Sequence, residues 1–242
     1  MEDLKGKTAL VTGASGGIGR AIVAQLKDKG VVVAGTDISE CEADHSFPGD
    51  LTDPRFCDEL PGLASAAMGG LDILINNAGI MTRGKITEAS DQDFDRTLAI
   101  NVEAPFRLCR AAIPIMAERG GGAIVNTSSC WGVHPGPDHP IYVMSKAAVA
   151  SLTQCLGMDH ARQNIRVNAI CPNEVNTPML RTGFVTRGLD PNRAIEDLND
   201  SVPLGRIAEP EDIADVVMFL VSDQARYICG ALVEINGGKS VQ

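Results

Sequence analysis

The chain carries, close to its start, the stretch Thr12-Gly13-Ala14-Ser15-Gly16-Gly17-Ile18-Gly19. A short, partly β-branched run at 7–11 precedes it and predicts a strand, and apolar residues then recur at helical spacing as far as Gly30. Glycines between a strand and a helix permit a tight turn. They also let backbone N–H groups approach a pyrophosphate at the positive end of the helix dipole. The stretch therefore predicts the floor of a dinucleotide-binding site.

A carboxylate is expected to select the dinucleotide. A second apolar run at 31–36 predicts another strand, and Asp37 follows it directly. A carboxylate in this place can accept both ribose hydroxyls of an adenosine and repels a 2′-phosphate. The segments 14–17 and 36–41 contain no Lys or Arg that would bind such a phosphate. The pattern predicts NAD in preference to NADP.

The composition limits the class of protein. The 242 residues are 44% hydrophobic and 21% charged, which is typical of a globular chain, and we expect one α/β domain over 1–242. A net charge of −10 disfavours nucleic-acid and anionic-membrane partners, and no apolar run is long enough to span a bilayer. The seven cysteines are scattered without a C-x-x-C motif, which favours reduced thiols in a cytoplasmic protein over disulfides or zinc.

Strand and helix signals alternate along the rest of the chain. Strands are predicted at 72–76, 123–127, 165–171 and 232–235, and helices at 54–68, 94–118, 140–162 and 210–221. In the second of these helices Phe94, Leu98, Val102 and Phe106 are spaced for one face. The alternation predicts an α/β fold with a doubly wound parallel sheet, helices on both faces and ligands at the carboxyl ends of the strands.

Two segments depart from the alternation. The segment between Asp37 and Asp50 leaves little room for a full helix. The segment 178–206 is rich in Gly, Pro and charge and has no clear strand, so we predict an irregular insertion that acts as a substrate lid. It contains Arg181, Arg187, Arg193 and Arg206. They would bind a substrate carboxylate or, alternatively, stay solvated.

A tyrosine and a lysine predict the chemistry. Tyr142 and Lys146 are four residues apart and so project from the same side of a helix. A nearby ammonium is expected to lower the pKa of the phenol, which can then exchange a proton with an alcohol as hydride moves to or from a nicotinamide. Ser129 follows the strand predicted at 123–127, and its hydroxyl could hold a substrate carbonyl against Tyr142.

Together with Asn76-Asn77-Ala78-Gly79 after the fourth predicted strand, these motifs resemble the short-chain dehydrogenase/reductase superfamily over essentially the whole chain. The resemblance implies a single Rossmann-like domain of about seven parallel strands, usually in a homotetramer. It also implies the catalytic residues Ser129, Tyr142, Lys146 and Asn101, the last holding a water that links Lys146 to solvent. The implied cofactor contacts are Gly13, Ser15, Gly16, Gly17, Ile18, Gly19, Asp37, Asp50, Leu51, Asn77, Ala78, Gly79, Tyr142, Lys146, Pro172, Val175 and Thr177.

The substrate-binding residues are less defined. The candidates are Trp131, His134, Asn173, Glu174 and Arg181. Asn173 stands where the family usually has glycine; it tolerates positive φ, and its side chain either contacts the substrate or is simply accommodated. Each of the others is, taken singly, more often structural. A nucleophilic Cys130–His134 pair would require a spatial approach that spacing cannot establish.

The leading hypothesis is an NAD-dependent enzyme that interconverts a secondary alcohol and a ketone on a small polar substrate, such as a sugar acid, polyol or hydroxy acid. One alternative is a 3-oxoacyl-carrier-protein reductase, which the net charge and Asp37 disfavour, because an acidic carrier protein needs a basic docking face. Another is a non-catalytic dinucleotide sensor, which would have no need of the catalytic residues. Apolar residues on several helix faces, among them Leu108, Ile115, Val149 and Leu152, predict a symmetric interface between copies.

Overall fold

The structure is a computed structural model that describes residues 2–239. Its strands are β1 (Thr8–Thr12), β2 (Val32–Thr36), β3 (His45–Ser46), β4 (Ile73–Asn76), β5 (Gly122–Thr127), β6 (Ile165–Pro172) and β7 (Leu232–Ile235). Its α-helices are α1 (Gly17–Asp28), α2 (Pro54–Met68), α3 (Asp91–Leu98), α4 (Ala104–Glu118), α5 (Cys130–Val133), α6 (Pro140–His160), α7 (Pro178–Thr186), α8 (Pro191–Asp200) and α9 (Pro210–Val221).

The strands form one seven-stranded sheet in the order β3-β2-β1-β4-β5-β6-β7, and every pairing is parallel. The chain runs outward from β1 to β3, then returns to place β4 on the other side of β1. Strand order therefore reverses between β1 and β4, and the loops that leave their carboxyl ends diverge. This divergence opens a crevice, and the predicted seven-stranded doubly wound fold is confirmed.

Alternating side chains along the strands build two hydrophobic cores. Val11 and Ile75 point to one face, where α1 and α9 cover them. Leu10 and Leu74 point to the other, under α2 and α4. Because successive side chains of a strand alternate between faces, a strand covered on both sides reads as a continuous apolar run. The unbroken runs in the sequence have this cause.

Local signals at helix ends operate as predicted. Asp53 caps α2 by accepting a hydrogen bond from the Arg55 N–H at 2.9 Å, with Pro54 in the first helical position. Gly30 follows α1 at φ 75°, a conformation that favours glycine. Between β2 and β3 the chain forms turns and no helix, as the short segment after Asp37 predicts.

The predicted helix at 94–118 is interrupted. A π-helical turn, Ala99–Glu103, separates α3 from α4 and rotates the face that each presents to the core. The predicted apolar face is therefore wrong: Phe94 and Phe106 are 41% and 46% exposed. The residues that are buried close to the turn are instead Thr97, Asn101, Ala104, Pro105, Leu108 and Cys109.

The segment 178–206 is not irregular, which corrects a second prediction. Thr177 caps α7 and Asp190 caps α8, each with a proline in the first turn. The Gly, Pro and polar residues that suggest a loop are thus largely the end signals of two short helices. The first residues of α7, Pro178 and Met179, nevertheless line the main cavity, in the place expected of a cover.

Within residues 2–239, no helix is long and apolar enough to cross a bilayer. All seven cysteines are free thiols. Over the same range, His, Cys, Asp and Glu side chains form no cluster suited to a metal ion.

Candidate active site

A cavity of about 1120 Å³ opens at the carboxyl edge of the sheet, and the glycine stretch forms its floor. Gly13 has φ 64°, and a Cβ there would lie 2.9 Å from the Ala78 Cα. A Cβ on Gly19 would collide with the Gly13 carbonyl oxygen. Helix α1 begins at Gly17 without a side-chain cap, so its first amide groups remain available to an anion. The floor suits a pyrophosphate.

Asp37 lies at the side of this cavity, after β2. Its two oxygens accept hydrogen bonds from the N–H groups of Ser15 (2.9 Å) and Ile38 (2.8 Å), which fix the carboxylate and tie it to the glycine loop. Arg20 also lines the cavity, and its Nε donates to the Ser15 carbonyl at 2.9 Å. Arg20 lies outside the segments 14–17 and 36–41 in the sequence, but the first turn of α1 brings it back over the loop.

The other predicted adenosine-side residues lie together. Asp50, Leu51, Asn77, Ala78 and Gly79 all line the cavity. The Asn77 amide donates to the carbonyls of Thr12 (3.0 Å) and Gly13 (3.2 Å), which holds this wall against the floor.

Gly79 connects the cavity to the predicted catalytic residues. A Cβ at this position would lie 3.2 Å from the Lys146 Nζ and 3.3 Å from the Asn101 Oδ1. The Asn101 Oδ1 accepts from the Ile80 N–H at 2.9 Å, while its Nδ2 donates to the Ile80 carbonyl (2.9 Å) and the Ser145 hydroxyl (3.0 Å). The π-helical turn places this amide where it links the cavity wall to α6.

Lys146 is almost fully buried, and its Nζ donates to the Thr127 carbonyl at 2.7 Å. The ammonium lies 5.8 Å from the ring centroid of Tyr142, one turn earlier on α6. Burial lowers the pKa of Lys146 to about 8. Gly132 allows α5 to lie close to α6 here, since a Cβ there would be 2.7 Å from the Lys146 carbonyl carbon.

The pKa of Tyr142 does not follow the sequence prediction. Burial raises it above its ordinary value, while the Ser129 hydroxyl and, more weakly, the Arg83 guanidinium lower it. Desolvation outweighs these favourable contacts, because a phenolate at this position is less well hydrated than in the unfolded chain. The same burial also favours the neutral form of Lys146, which weakens the expected stabilising charge.

Ser129 reaches the site from the end of β5. Its hydroxyl accepts a hydrogen bond from the Trp131 N–H at 3.1 Å and donates to the Pro172 carbonyl at 3.5 Å, so it lies between β5 and β6. The Trp131 ring packs against the His139 ring with centroids 4.7 Å apart. Ser129 thus lies beside the Tyr142 hydroxyl, while the Trp131 ring lies against His139.

A Cys130–His134 nucleophile is not supported. Burial raises the pKa of Cys130 to about 12, and its thiol donates to the Cys171 carbonyl at 3.0 Å. His134 is half-exposed and its Nε2 lies 3.1 Å from a Glu234 carboxylate oxygen. The thiol is part of the core, and the imidazole has another partner.

Three further substrate candidates lie outside the large cavity. Asn173 and Glu174 line a separate cavity of about 150 Å³, and Glu174 forms an ion pair with Lys239 at 2.7 Å. Asn173 has no positive φ, so replacing the usual glycine requires no strained backbone, but its buried Nδ2 has no partner within residues 2–239. The Arg181 guanidinium donates to the amide oxygens of Asn176 (3.0 Å) and Asn192 (3.2 Å).

Of the predicted nicotinamide-side residues, Thr177 lines the large cavity and contacts the glycine loop: a Cβ on Gly17 would lie 2.9 Å from its Cγ2. Pro172 ends β6 beside Ser129. The Val175 side chain is buried in the core.

A buried amide network that was not predicted from the sequence lies behind the site. The Asn76 Nδ2 donates to the Asn126 Oδ1 at 2.8 Å, and the Asn126 Nδ2 donates to the Thr153 hydroxyl at 2.9 Å. These bonds join β4, β5 and α6 and so help to fix the helix that carries Tyr142 and Lys146. An asparagine in an otherwise apolar strand run was the available signal.

Comparison with known proteins gives concordant results. The family described as enoyl-(acyl carrier protein) reductase matches residues 13–240. A 3-oxoacyl-[acyl-carrier-protein] reductase of Thermotoga maritima is 34% identical, with 97% of this chain and 98% of that protein covered. A 2-keto-3-deoxy-L-fuconate dehydrogenase of Xanthomonas campestris pv. campestris is 34% identical, with 98% and 81% covered.

The solved structures include an aldohexose dehydrogenase of Thermoplasma acidophilum, in ligand-free form, with a TM-score of 0.94 at 33% identity; 100% of this chain and 96% of that one are covered. Fold, matched family and relatives agree along nearly the full length. The chain is an oxidoreductase that acts on CH–OH groups, and it belongs to the short-chain dehydrogenase/reductase superfamily.

Proposed function

We propose that this protein is an NAD-dependent dehydrogenase that interconverts a secondary alcohol and a ketone on a small polar substrate. The observation that carries the proposal is the meeting of two sets of groups at Gly79. On one side lies the cavity with its glycine floor and Asp37. On the other lie Lys146 and Asn101, with Tyr142 one turn away on α6.

Asp37 supports NAD as the cofactor. Its carboxylate is held in the cavity by two backbone amides and retains lone pairs that can accept the hydroxyls of a ribose. The same charge would repel a 2′-phosphate. Arg20 opposes this preference, but its Nε is engaged with the Ser15 carbonyl.

In the proposed reaction Tyr142 exchanges a proton with the substrate oxygen. The nicotinamide, when bound, supplies or accepts the hydride. Ser129 is placed to donate a hydrogen bond to the substrate carbonyl and so to stabilise negative charge that develops on it. Lys146 is anchored on the Thr127 carbonyl beside the tyrosine ring and favours the phenolate when it is charged. Asn101 holds α6 against the cavity wall through its hydrogen bonds to Ile80 and Ser145.

The test is steady-state kinetics on alcohols and ketones with NAD(H) and NADP(H), comparing the wild type with Asp37→Asn. The variant removes the charge but keeps a side chain of the same shape. We expect the NAD preference to narrow by about 10- to 100-fold, since a charge-assisted hydrogen bond contributes roughly 1.5–3 kcal/mol. Asp28→Ala, at the exposed end of α1, is the control. Equal or better efficiency of the wild type with NADP would contradict the assignment.

A second candidate, a 3-oxoacyl-carrier-protein reductase, is favoured by the Thermotoga maritima relative, and the description of the matched family also names an acyl carrier protein. Against it stands the net charge of −10, which disfavours docking of an acidic carrier protein. A non-catalytic dinucleotide sensor remains the least favoured reading, because a sensor would not need Ser129, Tyr142, Lys146 and Asn101 together.

We also propose a homotetramer in the cytoplasm. Leu108 and Val149, expected at an interface, are buried within the single chain instead, so they do not support it. Phe94, Phe106, Met144 and Met158 do, because each is large, apolar and at least 41% exposed. The free thiols favour a reducing compartment.

A further inference from the structure

Arg83 lies in the loop between β4 and α3 and crosses to α7. A Cβ at Gly183 would collide with its Nη2 and lie 2.9 Å from its Cζ. The guanidinium therefore rests directly on the backbone of α7, in a space that exists because residue 183 has no side chain. Arg83 itself is exposed, so a molecule in solution can reach it.

A second guanidinium is anchored at the same glycine. The Nε of Arg187 donates to the Gly183 carbonyl at 3.0 Å, and its Cζ lies 5.0 Å from the centroid of the Phe184 ring. Both guanidinium groups therefore lie at Gly183. Partial burial of the guanidinium lowers the pKa of Arg83, the charge of Arg187 lowers it further, and negative charge on Tyr142 raises it. Arg83 follows the cavity-lining residues Gly79 and Ile80, and Arg187 follows the helix whose first residues, Pro178 and Met179, line the same cavity.

This pair has no anionic partner within residues 2–239. Neither arginine forms an ion pair there, and the Arg83 side chain makes no hydrogen bond in that range. Arg206, in the same segment, differs: it pairs with both oxygens of Asp212, at 2.8 Å for one contact. In a chain with 31 acidic residues and a net charge of −10, two neighbouring cations without a carboxylate are a specific arrangement.

We infer that Arg83 and Arg187 together bind a carboxylate of the substrate beside Tyr142. A carboxylate between two guanidinium groups accepts several charge-assisted hydrogen bonds and relieves their repulsion. The inference rests on the proposed function and narrows its substrate class to hydroxy acids and oxo acids, sugar acids included. Arg181, bonded to two asparagines, positions α7 and α8 and does not contact this group.

The first test compares matched substrates. Wild-type kcat/KM with NAD is measured for lactate, glycerate and gluconate and for the neutral propane-1,2-diol, glycerol and glucitol. We expect at least one acid to exceed its neutral counterpart by about 100-fold, the discrimination typical of a desolvated charged hydrogen-bonding site. Arg83→Gln should raise KM for that acid by about 10- to 100-fold and leave KM for a neutral alcohol nearly unchanged, while any change in kcat that arises through Tyr142 should be the same for both substrates.

A second variant leaves both charges in place. Gly183→Ala displaces the Arg83 guanidinium, because the new methyl group occupies its space. It should raise KM for the acid while slightly raising the midpoint of thermal unfolding, since alanine favours a helix more than glycine does. Gly62→Ala, in α2 with nothing within 4 Å of the added Cβ, is its control and should change only unfolding. Arg162→Gln, an exposed arginine before β6 at the opposite edge of the sheet, is the control for charge.

The outcomes separate the inference from the proposed function. The carboxylate site is overturned if the wild type prefers the neutral alcohols, or if Arg83→Gln raises KM equally for acids and alcohols. Either result leaves the proposed dehydrogenase function standing. Turnover restricted to carrier-protein substrates overturns both. If neither the acids nor the alcohols react, the proposed function fails for these substrates. Binding of the acids to the NADH complex, followed by NADH fluorescence, then tests the carboxylate site separately. Binding that Arg83→Gln weakens supports the site, and binding that the variant leaves unchanged overturns it.

Discussion

The buried Lys146 ammonium should destabilise the cofactor-free protein at neutral pH. Burial lowers the pKa of this group from 10.5 to about 8. Between these pH values the unfolded chain keeps the proton that the native state has lost. The free energy of unfolding therefore rises by about 1.4 kcal/mol per pH unit as the pH increases. The stability gained in this way is fully present above pH 10.5, where Lys146 is neutral in both states, and it is lost as the pH falls to about 8. The total penalty at pH 7 is about 3 kcal/mol.

Lys146→Met removes the charge and keeps a side chain of similar length. It also removes the hydrogen bond to the Thr127 carbonyl, which costs about 1 kcal/mol. The variant should therefore be more stable than the wild type by about 2 kcal/mol at pH 7, and this difference in stability should disappear at about pH 10. Urea unfolding, followed by Trp131 fluorescence at fixed protomer concentration, measures the difference. The cysteine thiols also titrate in this pH range, but their effect on the difference in stability largely cancels because both proteins contain them.

Lys7→Met, at an exposed position before β1, is the matched control and should give a difference within about 0.5 kcal/mol that does not change with pH. The reasoning is refuted if Lys146→Met is the less stable protein at pH 7, or if the gap between it and the wild type is the same at pH 7 and pH 9.5. Confirmation would mean that the site holds a destabilising group, which the proposed mechanism uses.

Tyr142→Phe should bind NADH nearly as the wild type does while kcat falls by several orders of magnitude, because only the transferable proton is lost. Fluorescence titration checks the binding and steady-state kinetics check kcat; substantial turnover would mean that another group transfers the proton. Gly19→Ala should abolish NADH binding in the same titration, because its methyl group collides with the Gly13 carbonyl oxygen, and unchanged affinity would contradict the assigned floor. Phe106→Ser should weaken self-association in sedimentation velocity, and a wild type that is monomeric at all concentrations would refute the proposed tetramer.

The sequence was sufficient for the features that depend on neighbours in the chain. Alternation of apolar runs with helical periodicity determined the parallel sheet, since each strand is covered on both faces. The order strand, glycine loop, helix determined the cavity floor around Gly13 and Gly19. The four-residue spacing of Tyr142 and Lys146 placed them one helical turn apart, because an α-helix brings such residues to one face.

Tertiary structure alone decided the features that depend on burial and on contacts between distant segments. Periodicity cannot reveal a π-helical turn, so the exposed Phe106 was predicted on the wrong face. The raised pKa of Tyr142 comes from desolvation, which no spacing encodes. Arg83 and Arg187 meet because the loop after β4 and helix α7 converge on Gly183 at the carboxyl edge of the sheet. A hundred residues of chain separate these two segments, and only the packing of the folded protein brings their charges together.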